Sequence, residues 1–267
     1  MEWTMIKPVM RYLDREKFGW LLADNGIYVS PVADQKDKTE GEYDPTFLSR
    51  ALRERSSDID EELLNQVDDL QRAMKDRGKE KTFISSWYMG ADETHHMWER
   101  FGDKGALIIS TDMALEMLLP PPLNQAVTFT PVIYDDERKQ NASQAPFEFK
   151  KRKFHPDKEG RLIFRLTEYS VLTGFGVEPG YEVRVGDKLS YESEEITSCM
   201  SPESLEQSHR VIEKKGRGYL LRYSLPDTIH EVRLHPKATD ADLVEAEKRL
   251  RAIGIKCPVN HSTLRSA

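Results

Sequence analysis

The sequence predicts an α+β protein, a single mixed-sheet domain with flanking helices, on three observations. Short apolar segments of strand length are interspersed with amphipathic helical segments along the whole chain, no internal repeat is visible, and no Pro/Gly/Ser-rich linker divides it. With 267 residues, folding buries roughly 70 to 75% of the extended-chain surface, enough for a substantial core.

Met10 to Asp14 and Gly26 to Val32 read as short strands, the second opened by Asn25-Gly26 and closed by Ser30-Pro31, with a helical turn over Phe18 to Leu22 between them. A long helical region follows from Pro45 to Gly78, where Ile59, Leu63, Val67, Leu70 and Met74 recur at three- and four-residue steps. Phe83 to Met89 reads as a buried strand running into a helix over Asp92 to Phe101. The turn Gly102 to Gly105 then starts the strand Ala106 to Ser110. Thr111 caps a helix over Met113 to Leu118, which Pro120-Pro121-Pro122 stops. Strands resume at Val127 to Asp135 and at Leu162 to Thr167, separated by the basic run Lys150-Lys151-Arg152-Lys153. The stretch from Val171 to Ser198 is rich in Gly, Glu and Ser without periodicity. A variable insertion over about 171–223 is expected. Ile229 to Leu234 alternates as a strand, Thr239 with Asp242 forms a capping box for the last helix, and a short strand closes the chain around Lys256 to Val259.

Composition excludes several function classes. Lys plus Arg number 39 against 46 Asp plus Glu, a formal charge of -7, which argues against a generic phosphate-backbone binder. Cys199 and Cys257 lie far apart without CxxC spacing, so neither a disulfide framework nor a zinc knuckle is encoded. No segment has signal-peptide character and no apolar run is long enough to span a bilayer. A cytoplasmic protein without membrane attachment is expected.

The familiar nucleotide and hydrolase motifs are missing. Gly174, Gly176 and Gly180 are spaced one residue too long for a dinucleotide fingerprint, and there is no Walker lysine, nucleophile elbow or kinase catalytic loop. His95 and His96 are adjacent, about 100° apart on a helix, whereas two helical zinc ligands need an i, i+4 step. No metal site is expected from the histidines. Two carboxylate groups remain, Asp34, Asp37, Glu40 and Asp44 after the second strand, and Asp157 with Glu159 beside Arg161 ahead of the apolar strand. For both, the plain alternative is a polar loop and a Glu-Arg ion pair.

The order of these pieces resembles a bacterial family, the domain of unknown function numbered twenty-nine seventy-one, associated with phage defence and akin to abortive-infection proteins. The resemblance spans nearly the whole chain. It is carried by Arg11-Tyr12-Leu13-Asp14, Gly26-Ile27-Tyr28-Val29-Ser30, Ser85-Ser86-Trp87-Tyr88-Met89, Met97-Trp98-Glu99-Arg100-Phe101, Tyr134-Asp135, Lys151-Arg152, Glu159, Arg161 and Ile229 to Pro236. The chain departs from that pattern at Asp37-Lys38-Thr39-Glu40-Gly41, where the family has Asp-Pro-Phe-Glu-Gly, and at Phe101, where it has Tyr. The resemblance implies a cytosolic defence effector or toxin, a protein partner encoded in the same operon, and a protein or nucleic-acid target.

The opening plan also looks like that of ADP-ribosyltransferases, which implies NAD as cofactor. Cleavage of the nicotinamide glycosidic bond passes through an oxocarbenium-like state and calls for a carboxylate that orients the ribose hydroxyl. By that analogy Glu159 is the candidate catalytic carboxylate and Tyr12 the second candidate catalytic residue. Arg11, Ser30, Trp98 and Arg161 are candidate cofactor-binding residues, with Trp98 stacking on the nicotinamide. A metal-dependent nuclease using Asp37, Glu40 and Glu159, with Lys151 to Lys153 guiding phosphates, is a second reading. A third is a non-catalytic partner or sensor that binds through Trp87, Trp98 and the insertion.

Overall fold

The chain opens, in a computed structural model that describes residues 6–35, 37, 41–136, 146–175, 182–185, 188–192, 202–222 and 224–265, with a strand, a helix and a second strand. These are β1 (Pro8–Leu13), α1 (Arg15–Asp24) and β2 (Ile27–Pro31). Asp14 starts α1 because its side chain accepts from the Lys17 amide at 2.8 Å. Asn25 ends it in the left-handed region at φ 49°, which Asn tolerates better than most residues. Next come α2 (Phe47–Arg55), α3 (Glu61–Lys81), β3 (Thr82–Tyr88), α4 (His95–Phe101), β4 (Ala106–Thr111) and α5 (Asp112–Met117). The middle of the chain supplies β5 (Val127–Pro131), β6 (Ile133–Tyr134), β7 (Phe149–Lys150), β8 (Glu159–Arg165) and α6 (Leu166–Thr173). The remainder is β9 (Glu182–Val185), β10 (Lys188–Glu192), α7 (Pro202–Val211), β11 (Ile212–Lys215), β12 (Gly218–Leu221), α8 (Leu225–Thr228), β13 (Glu231–Leu234), α9 (Asp240–Ala252) and β14 (Val259–His261).

Ten strands form one mixed sheet that branches at β3. One edge of β3 pairs along its whole length with β8, from Thr82↔Arg165 to Tyr88↔Glu159, and β5 pairs beyond β8. The other edge is divided. Its beginning pairs with β2 through Ser30↔Ile84 and Pro31↔Phe83, and its end pairs with β1 through Met10↔Tyr88. From there β1 continues into β4, β13 and the parallel strand β14, while β2 continues into β12 and β11. Since β1 and β2 are both antiparallel to β3, they run parallel to each other without pairing, as two arms of a split βαβ unit.

One face of the sheet carries the main core. Val9, Leu13, Phe83, Trp87, Ile108, Leu162 and Phe164 pack there against Phe18, Leu21 and Leu22 of α1, Leu115 of α5, Tyr169 of α6 and Leu250 of α9. Gly105 allows the β4 approach to be close, because a Cβ there would lie 1.9 Å from the Leu13 carbonyl oxygen. Smaller clusters cover the opposite face, Met10, Tyr12, Tyr88, Met97, Trp98 and Leu107 on one arm and Val32, Ile84, Phe147 and Ile163 near the other.

The α+β reading with a mixed sheet and flanking helices agrees with this architecture, as do the Thr111 cap and the Thr239–Asp242 capping box. Other boundaries differ for identifiable reasons. The long helical region is two helices, and α3 runs past Gly78, where the ring of Phe147 packs at 3.5 Å from the Cβ position. Its buried residue is Leu64, whereas Leu63 and Met74 are half exposed, because α3 packs chiefly against α2 and the β9 strand and only lightly on the main sheet. The strand expected over Leu162 to Thr167 begins at Glu159 and ends at Arg165, since Glu159 and Arg161 neutralise each other within it and can be buried there. The expected insertion is only partly peripheral. The β9–β10 hairpin is a separate two-stranded sheet, but β11 and β12 belong to the main sheet and bury Ile212, Tyr219, Leu220 and Leu221.

Candidate functional site

Pairing register decides which candidate residues share a face, because paired residues project to the same side and residues two apart do as well. Tyr88 pairs with both Met10 and Glu159, Ser86 pairs with Arg161, and Ser30 pairs with Ile84. Tyr12, Ser30, Ser86, Tyr88, Glu159 and Arg161 therefore lie on one face. Arg11 pairs with Ile108 and leaves the sheet on the opposite, core-bearing face.

Glu159 is the centre of one polar network. One of its carboxylate oxygens accepts from Ser86 Oγ at 2.6 Å and Arg161 Nε at 2.8 Å, and the other accepts from Lys150 Nζ at 2.7 Å. Arg161 is fully buried and anchors itself on the Phe147 carbonyl at 2.6 Å. The Glu159 amide donates to Tyr134 Oη at 2.7 Å, and burial pushes the Tyr134 phenol up to about 12. Burial works to raise the Glu159 pKa, but the charges and hydrogen bonds of Arg161 and Lys150 outweigh it and hold the group at about 2. Ser86 is exposed although it sits within a central strand, whereas Glu159 beside it is only 6% exposed. Tyr134, stacked edge-on with His155 at 5.2 Å, and Phe154, contacted by Lys150 and Lys153, form an aromatic and basic margin. Arg100 closes the neighbourhood through Asp157 at 2.5 Å.

Tyr12 and Trp98 belong to a second network centred on Glu93. The buried Glu93 carboxylate accepts from Trp98 Nε1 at 2.9 Å, Arg233 Nη1 at 2.9 Å, Ser262 Oγ at 2.5 Å and both the amide and hydroxyl of Thr263 at 3.0 Å. Burial again works to raise its pKa, and these donors together lower it. The Trp98 ring is 2% exposed and meets Tyr12 and His235 edge-on at 5.1 and 5.3 Å. The Tyr12 hydroxyl accepts from the Thr94 amide at 3.2 Å, at the N-cap of α4. In this arrangement Trp98 presents no free ring face, and its indole and the Tyr12 hydroxyl hold α4 and the chain end on the β1–β4–β13 arm.

The six predicted residues thus separate. Glu159 and Arg161 are in direct contact, as are Tyr12 and Trp98, while Ser30 accepts from Gln35 Nε2 at 2.9 Å beside the β2 arm. The Glu159–Arg161 pair that the sequence allowed is present, with Lys150 as the second cation and Arg152 exposed. Among the described residues no group of three His, Cys, Asp or Glu side chains is arranged to hold a metal, and Glu40 of the nuclease reading lies outside them, as does Cys199. Ser86, Lys150, Glu93 and Arg233 were not read from the sequence. The alternations Ser86-x-Tyr88 and Glu159-x-Arg161 were the available signal, and only strand pairing joins them.

Replacing Glu93 by Gln removes one of the two carboxylates that Arg233 faces, the other being Glu231, together with the charge that four donor residues surround, and should cost about 2 kcal/mol in urea denaturation; Trp98→Phe should cost about 2 kcal/mol. A Trp98→Phe protein of unchanged stability would contradict the core role. The Glu159 carboxyl has a folded pKa below its unfolded value of 4.5, so its contribution, roughly 3 kcal/mol, is complete above pH 4.5 and is lost as pH falls toward 2. Stability measured across that window should fall less steeply in Glu159→Gln than in the wild type.

No helix is long and apolar enough to cross a membrane among the described residues. Comparison with protein-family models, with curated proteins and with solved structures gives no match to this chain.

Proposed function

We propose that this chain is an effector of the defence-associated family its sequence resembles, and that it carries out NAD-dependent ADP-ribosyl transfer with Glu159 as the catalytic carboxylate. The observation that carries the reading is a carboxylate on one face of a branched sheet that holds two cationic donors and accepts from an exposed hydroxyl, Ser86. A carboxylate held at about 2 is a poor general base near neutral pH. It is suited instead to accepting a hydrogen bond from a sugar hydroxyl and to stabilising positive charge that develops at the neighbouring carbon.

The donor and acceptor set fits a ribose diol. Ser86 Oγ and Glu159 would hold the hydroxyls, and Lys150 and Arg161 keep the carboxylate charged and oriented. NAD supplies the activated glycosidic bond, which breaks to release nicotinamide as an acceptor nucleophile bonds to the same carbon. The reading assigns ring contact to the Tyr134–His155 margin in place of Trp98, whose faces are covered. Arg161 becomes a positioning residue, since it is buried beneath Glu159. The nuclease reading is weaker because the Glu159 oxygens already take two cationic donors and a hydroxyl.

The test is release of labelled nicotinamide from NAD, alone and with cell lysate, and transfer of label to macromolecules. Ser86→Ala should lower turnover about 10-fold and Glu159→Gln about 100-fold or more, with folding checked by melting temperature. Turnover that is undiminished in a folded Glu159→Gln protein would exclude Glu159. Absence of nicotinamide release by the wild type in both conditions would count against the reaction.

A further inference from the structure

Where β1 and β2 part, the sheet holds a positive charge with no counter-charge. Arg11 reaches across the gap from β1 and donates to the Tyr28 carbonyl of β2, but only at 3.4 Å, and its guanidinium lies 5.7 Å from the centre of the Trp87 ring. No carboxylate among the described residues pairs with it. Burial alone lowers its pKa, to about 10, with no opposing contribution from an acid. On the adjoining strand, Trp87 Nε1 and Ser85 Oγ are buried at 3% and 2% exposure of their residues, and neither has a hydrogen-bond partner. Ser85 and Trp87 are two apart on β3, so they project to the same face, the one from which Arg11 also leaves the sheet.

Buried donors without partners are costly, and an uncompensated guanidinium is more so. Three donors on one face of neighbouring strands, with no acid paired to the guanidinium, have the composition of an oxyanion site. The Trp87 ring lies against the planar guanidinium, while the indole N–H and the serine hydroxyl belong to the neighbouring strand β3. Three donors arriving from two strands suit a tetrahedral group better than a planar carboxylate, which one arginine fork can satisfy.

We propose that the wedge between β1 and β2 binds a phosphate group through Arg11, Trp87 and Ser85. This site is separate from the Glu159 network, which lies on the other face, and the inference does not rest on the NAD reading. The group is either inorganic phosphate or a phosphate carried on a nucleotide.

The test is thermal melting of the full chain at constant ionic strength, titrated with inorganic phosphate, ADP or adenosine, with chloride as the control anion. The wild type should show a saturable rise in melting temperature with phosphate or ADP and none with adenosine. Saturation by ADP at concentrations at least 10-fold lower than phosphate would identify a nucleotide phosphate, and equal or weaker action of ADP would identify free phosphate. Arg11→Met should lose the response and, in phosphate-free buffer, melt no lower than the wild type, because the uncompensated charge is gone. Trp87→Phe keeps the ring and removes the N–H, and should saturate at several-fold higher phosphate. The proposal is overturned if the wild type shows no saturable rise with either probe, or if Arg11→Met responds like the wild type. If Arg11→Met does not fold, an unchanged response in Trp87→Phe overturns it, leaving Arg11 as a structural wedge.

Discussion

The seven residues of β3 have one free edge after pairing with β8, and two strands must share it. That constraint shapes the rest of the molecule. Because β2 takes the beginning of the edge and β1 takes its end, the two strands diverge and each recruits its own neighbours, β12 and β11 on one side and β4, β13 and β14 on the other. The wedge between them leaves the Tyr28 carbonyl facing Arg11 across the gap.

The branch also decides where polar groups can be buried. Two buried carboxylates surrounded by donors tie the sheet to its covering segments, Glu93 at the arm through β1 and Glu159 on β8 beside β3. The two look alike in charge and burial and differ in access. Around Glu93 the donors come from α4, β13 and the end of the chain, and Trp98 seals it. Around Glu159 one donor, Ser86, is exposed. The first arrangement has the character of a clamp, and the second brings one of its donors to the surface.

Much of the fold was legible in the sequence because strand and helix periodicities are local. The β1–α1–β2 opening, the Thr111 and Thr239 caps and the alternation of Ile229 to Leu234 all appear where the pattern puts them. The site was less legible. Glu159 and Arg161 stood out by residue type, but the function of a carboxylate depends on its partners, and Ser86 is 73 residues away while Glu93 and Thr263 are 170 apart. Trp98 illustrates the opposite failure. An aromatic residue in a helix beside charged neighbours has the composition of a ligand clamp, yet the acid it meets is Glu93, five residues earlier in the chain, and the pair is buried. Register, too, is invisible locally, and a step of one residue puts Arg11 and Tyr12 on opposite faces.

The central claim is that Glu159 stays ionised although it is buried, kept charged by Arg161 and Lys150 and held by the exposed Ser86. The most direct measurement is an NMR titration of its side-chain carboxyl carbon in protein labelled at glutamate, assigned by comparison with Glu159→Gln. The account predicts a carboxyl that remains deprotonated well below pH 4, with a midpoint near 2 or no midpoint before unfolding. A midpoint at 4.5 or higher would show that the two cations do not hold the charge, and would contradict the account.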